Sequence, residues 1–438
     1  MHQNLIKMKR AISFLILIII GSRVCPQSVS PHSLDYYIEQ AQNNSPLIGD
    51  YNNQQTVSKY EQQRLKVFYT QSKLELDGNL LFVPIVSKDN GNVRFELTPQ
   101  NATSYYGYDQ GISSGSLQAG LLLTKPIFAN SSLKVAQQQE FVTTDINKNN
   151  IKLQKHDLQR LVTDQYILCL LDRQKIAFTD SLLQILDKQG KIVHKLSQAS
   201  IMKQSDCKLI EIEMDDYTEL RKSCEQSYHT HLLDLNILCG IKDTTTVMLD
   251  DIKLYPKINN SENSPFIEKY KLDSLNLIIH QGISEIQYKP RINLFVDGGL
   301  RASQYSLSTF NHFGMSAGVT FAWTIFDGRQ RKITRNQTKT ELNTVSLYRE
   351  NFILQNDLRK NQYLSELKGD DERGSILQKQ LELYDQVLSD YNKEIQNGQL
   401  SIIDYITVLK NKTQATENYY LLKANRLLLI NAFNYYNW

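Results

Sequence analysis

The sequence predicts an α+β fold, with four β-strands of membrane-spanning length and two long α-helical hairpins in one chain. Three observations carry this. A strand-then-helix block occurs twice, about 198 residues apart. Its strands alternate apolar with small or polar residues, the pattern of a transmembrane β-strand. Its helices keep the alternating steps of three and four that mark a coiled coil.

The repeat comes first. Residues 116–128 (SLQAGLLLTKPIF) lie without a gap over residues 314–326 (GMSAGVTFAWTIF), so that Ala-Gly and Ile-Phe coincide in both copies. A short polar turn follows each copy, Ala129-Asn130-Ser131 or Asp327-Gly328-Arg329, and then a helical pattern far longer than usual.

In the second copy Met315, Ala317, Val319, Phe321, Trp323 and Ile325 share one face. Ser316, Gly318, Thr320, Ala322 and Thr324 share the other. Val319, Phe321, Trp323 and Ile325, with Leu121 and Leu123 of the first copy, are the expected lipid-facing residues. Residues 74–86 and 291–300 are the expected partner strands, with outward-facing loops at 87–115 and 301–313. Four strands cannot close a barrel, and an open edge in lipid leaves backbone groups unsatisfied at several kcal/mol each. The chain must therefore assemble if these strands are in a membrane. Three copies would supply twelve strands, an even number within the bacterial range.

From residue 328 to about 397 the second helical pattern could run for roughly 70 residues, or about 100 Å. An irregularity is expected at Lys368-Gly369-Asp370-Asp371-Glu372-Arg373-Gly374. Leu377, Leu381, Tyr384, Leu388, Tyr391 and Ile395 form its seam. After the turn Asn397-Gly398-Gln399 the chain returns along Ile402, Ile406, Leu409, Thr413, Thr416, Tyr420 and Leu427. The first copy predicts helices near 132–196 and 205–239, with a turn at 198–202. Helices at 33–71 and 266–288 precede the strand pairs. The resulting organisation is a leader at 1–25, a first repeat at 32–239, a linker at 240–265 and a second repeat at 266–438.

The leader is read from Lys7, Lys9 and Arg10 ahead of the apolar run 11–21, the layout of a secretory signal peptide. Cys25 invites acylation, although Arg23 and Val24 fit an acylation box badly. A net charge of +3 shows no basic stripe, so nucleic acid is a poor partner. Cys169, Cys207, Cys224 and Cys239 lack the spacing of a disulfide framework and read as packing residues.

Sites with chemistry are few. Gly111-Ile112-Ser113-Ser114-Gly115 matches a nucleophile pattern that needs a strand before it and a helix after it, and the context here is the reverse. No acid/base constellation supports an enzyme. Cys224, His229, His231 and Cys239 suggest a metal, but residues two apart on a helix point to different faces. No metal and no cofactor are expected. The acidic run Glu211, Glu213, Asp215 and Asp216 reads as a solvated face, or as a helix lining a water-filled duct. Trp323 reads as an interfacial aromatic, and Tyr105-Tyr106-Gly107-Tyr108 as loop.

Several ordered segments resemble the TolC-like outer membrane factors. Residues 34–48 (LDYYIEQAQNNSPLI) look like that family's first helix, ending in Asn-Asn-x-Pro. Pro290-Arg291-Ile292-Asn293-Leu294 looks like the start of its third strand. Gly398-Gln399-Leu400-Ser401-Ile402-Ile403-Asp404 resembles its Gly-x-x-Ser/Thr-x-x-Asp hairpin turn. The resemblance covers essentially the whole chain after the leader. It implies a homotrimer with a twelve-stranded barrel in outer-membrane lipid and a coiled-coil α-helical barrel across the periplasm. It further implies a passive duct served by a periplasmic adaptor and an inner-membrane transporter of the RND or ABC class.

By position the resemblance puts Asp404 at the family's first gate aspartate, while the second falls on Thr407. Without it, Asp404 is an ordinary solvated residue after a turn. The implied adaptor-contacting tips are Gln198, Ala199 and Ser200 in the first hairpin and Asn397, Gly398, Gln399 and Leu400 in the second. A periplasmic coiled-coil adaptor or scaffold is the rival reading. Such a protein should show one hairpin flanked by halves of a small β-domain, and two hairpins with duplicated strands argue against it.

Overall fold

The computed structural model describes residues 32–82, 85–96, 104–106, 115–257, 264–302, 312–399 and 401–438. The leader with Cys25, residues 111–114 of the Gly-x-Ser-x-Gly pattern, and Leu400 lie outside them. The chain divides into two compact units. One combines the residues up to Gly49 with Lys152–Glu262 and Ile353–Trp438. The other combines Asp50–Ile151 with Asn263–Phe352. Each unit takes material from both repeats, so the units are not the sequence halves.

The opening helical stretch is two helices, α1 (Leu34–Asn44) and α2 (Pro46–Thr70). Ser45 between them is extended, at φ −68° and ψ 116°. A proline disfavours the helical region for the residue before it and is at home in the first turn of the next helix, so Ser45-Pro46 ends one helix and starts the other.

Next come β1 (Lys73–Phe82), β2 (Ile85–Asp89), β3 (Asn92–Glu96), β4 (Ser104–Tyr106) and β5 (Gly115–Ile127). The partner strand expected over 74–86 therefore ends at Phe82, and the loop expected over 87–115 contains strands. These form a small sheet of order β3-β2-β4. Asn90 and Gly91 both have positive φ, 45° and 89°, between the paired residues Asp89 and Asn92. Asn-Gly with two positive φ values is the two-residue turn that matches strand twist, and it explains the extra hairpin.

The second half supplies α5 (Pro265–Ile286), β6 (Arg291–Ala302) and β7 (Phe313–Ala322). The main sheet has order β1-β5-β6-β7 and is antiparallel throughout. The β5–β6 ladder, from Leu117 opposite Ala302 to Ile127 opposite Ile292, joins the two repeats. β7 stops earlier than the alternation suggests. Ala322 is paired with Arg291, and the residue before Arg291 is Pro290, which has no N–H to continue a ladder. Trp323 and Ile325 consequently lie past the strand, both exposed.

Four long helices complete the fold: α3 (Asn130–Gln198), α4 (Gln204–Cys239), α6 (Gln330–Gln396) and α7 (Ile402–Tyr436). α6 runs unbroken through Gly369 and Gly374, contrary to the irregularity expected there. Each glycine costs about 1 kcal/mol against alanine in a helix. The neighbouring Leu367 is buried, and a Cβ at Gly374 would lie in ordinary contact with Leu422 at 3.6 Å, whereas Gly369 has open space beside it.

In the helical unit one core gathers Tyr37, Val162, Tyr166, Cys169, Leu232, Leu235 and Leu249. Leu249 belongs to the linker, whose described part packs rather than hangs free. Its neighbours are held by side chains of α3. The Tyr166 hydroxyl lies 2.9 Å from the His32 carbonyl and 2.8 Å from that of Asp250. Arg173 donates to the Leu249 carbonyl and to Asp251. Gly240 caps α4 at φ +66°, with Asn44 donating to the Cys239 carbonyl at 2.9 Å. Burial pushes the Cys169 and Cys239 thiols up to about 12, so both stay protonated packing groups. Among the described residues no helix is long and apolar enough to cross a membrane.

Candidate functional site

The main sheet separates its side chains by chemistry. Successive strand residues point to opposite faces, and the ladder decides which of them share a face. Leu74 pairs with Leu123 and Leu76 with Leu121. Leu123 pairs with Val296, and Val296 with Ala317. Ile292 pairs with Phe321, and Leu294 with Val319. One face is thus apolar across all four strands except at Lys125, which pairs with Leu294, while Leu122 and Phe295 fall on the opposite face. The opposite face carries Glu75, Asp77, Asn79, Gln118, Thr124, Asn293, Asp297, Arg301, Ser316 and Thr320. There Asp297 accepts from Arg301 at 3.1 Å and from the Ser316 hydroxyl.

Four of the six residues expected on the lipid side lie within strands of the apolar face: Leu121, Leu123, Val319 and Phe321. Their strands are 13 and 10 residues long, and the other two are 10 and 12. A tilted strand needs about 9–11 residues to cross a bilayer's hydrocarbon. Where the sheet gives way to helices, Glu285 near the end of α5 receives Arg331 at 2.7 Å and Arg335 at 2.6 Å from α6. The Arg335 hydrogen bond, then that of Arg331, holds this carboxyl below the usual range. Nothing in the sequence pattern picked out this clamp, because its partners are about fifty residues apart.

In the helical unit the two hairpin tips adopt one geometry. In the first, the Ile201 N–H donates to the Leu196 carbonyl and the Ser200 N–H to that of Ser197. In the second, the Gln399 N–H donates to the Glu394 carbonyl and the Gly398 N–H to that of Ile395. Both are Schellman turns, which need a left-handed residue just past the helix end. That residue is Ser200 at φ +60° in one tip and Gly398 at φ +69° in the other. The counterpart of Gly398 is therefore Ser200, in keeping with the 198-residue offset of the repeat.

The tips also touch. A Cβ at Gly398 would come within 2.6 Å of Ile201 Cγ2, so the second tip presents bare backbone to the first tip's side chain. Below them Leu182, Leu186, Val193 and Ile210 of the first hairpin pack with Leu388, Ile395, Ile402, Tyr405 and Leu409 of the second. Lys410 meets Glu213 at 2.8 Å, and the Tyr217 and Thr413 hydroxyls lie 3.0 Å apart. Glu213 is buried, so this member of the acidic run is a partner between hairpins rather than part of a solvated face.

Asp404 lies in the first turn of α7, exposed, with no hydrogen bond or ion pair among the described residues. Its counterpart at the same offset is Asp206, whose carboxylate accepts from the Lys203 N–H at 3.1 Å and so caps α4. The Thr407 hydroxyl donates to the Ile403 carbonyl at 2.8 Å, within its own helix. Of the other residues weighed, His231 Nδ1 lies 2.5 Å from Asp172, and His229 faces Thr246 at 3.3 Å. The structure does not bring these two histidines together.

No protein-family model matches the sequence, and no curated protein does. Solved structures do match. The outer-membrane channel OprN is similar over 92% of this chain and 89% of its own, with TM-score 0.68 and 12% identity. The outer membrane protein VceC from Vibrio cholerae is similar over 92% and 96%, with TM-score 0.66 and 11% identity. The CmeC channel from Campylobacter jejuni covers 92% and 85%, with TM-score 0.64 and 12% identity. The fold is that of a TolC-type outer-membrane channel. At 11–12% identity the likeness speaks for the backbone alone, since side chains at the TolC-type tips can differ freely. What this chain does at its tips rests on its own residues.

Proposed function

We propose that this protein is one protomer of an outer-membrane exit duct for an efflux or type I secretion system. The observation that carries the reading is the sheet. Its apolar face runs across four strands of bilayer length, and β1 and β7 have no further strand beside them among the described residues. Open edges and an apolar face are both costly in water and need lipid plus neighbouring copies to be stable. Three copies make a twelve-stranded barrel whose polar face, with Glu75, Asp77 and Asp297, surrounds a wet lumen.

On this reading the helical hairpins belong to the periplasm, and their tips receive an adaptor that connects the duct to an inner-membrane RND or ABC pump. Asp404, unpaired near its tip, is the candidate for an acidic ring. Like charges gathered on an axis repel and hold cations. The duct itself performs no chemistry.

Two measurements test the proposal. Membrane fractionation followed by sizing of the detergent-extracted protein should give an outer-membrane trimer, and a soluble periplasmic monomer would overturn the reading. Planar-bilayer recordings should then show that Asp404→Ala alters the response of conductance to divalent cations. An unchanged response removes the gate role while leaving the duct in place.

A further inference from the structure

The two tips share a backbone but carry opposite charge. Residues 190–208 around the first tip hold four lysines, Lys191, Lys195, Lys203 and Lys208, against Asp206 alone. Residues 388–406, the same stretch of the second copy, hold Lys393 against Asp390, Glu394 and Asp404. Internal pairing widens the contrast. Lys191 is bound to Asp187 at 2.6 Å, but Lys195, Lys203 and Lys208 are exposed and make no ion pair among the described residues. The one acid nearby, Asp206, is spent on capping α4. At the second tip Lys393 is bound to Asp390 at 2.9 Å, which leaves the carboxylates of Glu394 and Asp404 without ion partners among the described residues.

Lys195 suits the last turn of α3, where the helix dipole favours a cation, but local stability does not account for Lys203 and Lys208. Lys203 and Lys208 sit at the start of α4, where the helix dipole disfavours cations. The corresponding residues of the second copy are Ser401, which caps α7 in the ordinary way at 3.3 Å from the Ile403 N–H, and Ile406. Exposed Ile201, seated against Gly398, adds an apolar contact where the two tips meet.

We propose that the paired tips form a polarised docking surface for a helical-hairpin partner whose end is acidic where it meets the first tip and basic where it meets the second. This rests on the duct reading for the kind of partner, and on the tips' own charges for its chemistry. In a trimer the six tips alternate in sign. A partner rotated by one hairpin meets like charge at every contact, so the pattern selects register as well as affinity.

The test uses the full-length protein in detergent and three synthetic helical-hairpin peptides on one scaffold, with acidic, basic or neutral turns. Binding is read by fluorescence anisotropy over a salt series. The acidic peptide should bind wild type, with affinity falling as salt rises. Lys203→Glu with Lys208→Glu should weaken that binding by about tenfold or more. The milder Lys203→Gln with Lys208→Gln should lose a part of it, which keeps the test decisive should the reversed variant misassemble. Basic-peptide binding should fall in Glu394→Gln. Equal binding of all three peptides, or indifference to both lysine variants, overturns the proposal. A soluble monomer that still binds the acidic peptide would remove the duct reading and leave the polarised surface standing. A membrane trimer without charge-dependent binding would do the reverse.

Discussion

The helical unit closes a core around large side chains, with Leu186, Ile395 and Tyr405 at 0% although Ile237 on its surface is 76% exposed, whereas on the apolar face of the sheet Leu76 is 83% exposed and Phe321 64%. The residue types are the same in both places. The difference teaches that each unit is folded against its own solvent. Coiled-coil spacing turns leucine toward a neighbouring helix and away from water, and strand alternation turns it outward, to a face that only lipid or another copy can cover.

The contrast can be broken from either side, and the largest effect is expected in the helical core. Leu186→Ala removes a fully buried side chain where both hairpins meet, and should cost about 2–5 kcal/mol in the denaturation of the extracted protein. A loss below about 0.5 kcal/mol, the range of surface substitutions, would mean that the hairpins are not mutually supported.

On the sheet, Leu76→Arg places a charge on the apolar face and should cost about 2–4 kcal/mol if that residue sits at the bilayer midplane. Reversible folding into lipid vesicles, titrated with urea, measures it. A sheet that met water on that face would be indifferent to the change.

Tyr405→Phe sharpens the comparison with the opposite sign. The Tyr405 hydroxyl is buried without a hydrogen-bond partner among the described residues, and burial pushes its pKa up to about 12. An unsatisfied buried hydroxyl costs about 1–3 kcal/mol, so its removal should raise the melting temperature. A fall would show that the hydroxyl has a partner in the assembled protein.

The smallest expected effect is that of pH on His156, which stacks on Trp438 at 3.9 Å and lies 3.0 Å from the Tyr435 carbonyl oxygen. Burial lowers its pKa, so the folded state keeps it neutral while the unfolded chain binds a proton. Stability from this group is complete above the unfolded value near 6.5 and declines as pH falls from there toward the folded value. His156→Gln should flatten the dependence of melting on pH in that window.

Much of this was legible because it depends on period. The seam from Leu377 to Ile395, the return through Leu409 and Thr413, and the alternation through Val319 and Phe321 are one-dimensional signals. What was not legible depended on a partner or on a single backbone angle. β7 ends at Ala322 because its neighbour begins after Pro290. α6 runs on through both Gly369 and Gly374, with a packing neighbour, Leu422, only at the second. The small sheet after β1 turns on Asn90-Gly91, a signal present in the sequence but set inside a stretch read as loop. At the candidate site the sequence located both tips. Their true correspondence, Ser200 with Gly398 and Asp206 with Asp404, required the left-handed residues to be seen.

The contacts between the hairpins have a consequence for how the chain comes together in time. The Tyr217–Thr413 bond spans 196 residues and the Asn431–Arg160 bond 271. Contacts this distant in sequence make folding slow, since a long loop must close before any of them is rewarded. Until α6 and α7 arrive, Leu182, Leu186 and Ile210 have no partners from the second hairpin and remain open to aggregation. That core is therefore closed only once the 35-residue helix α7 is in place.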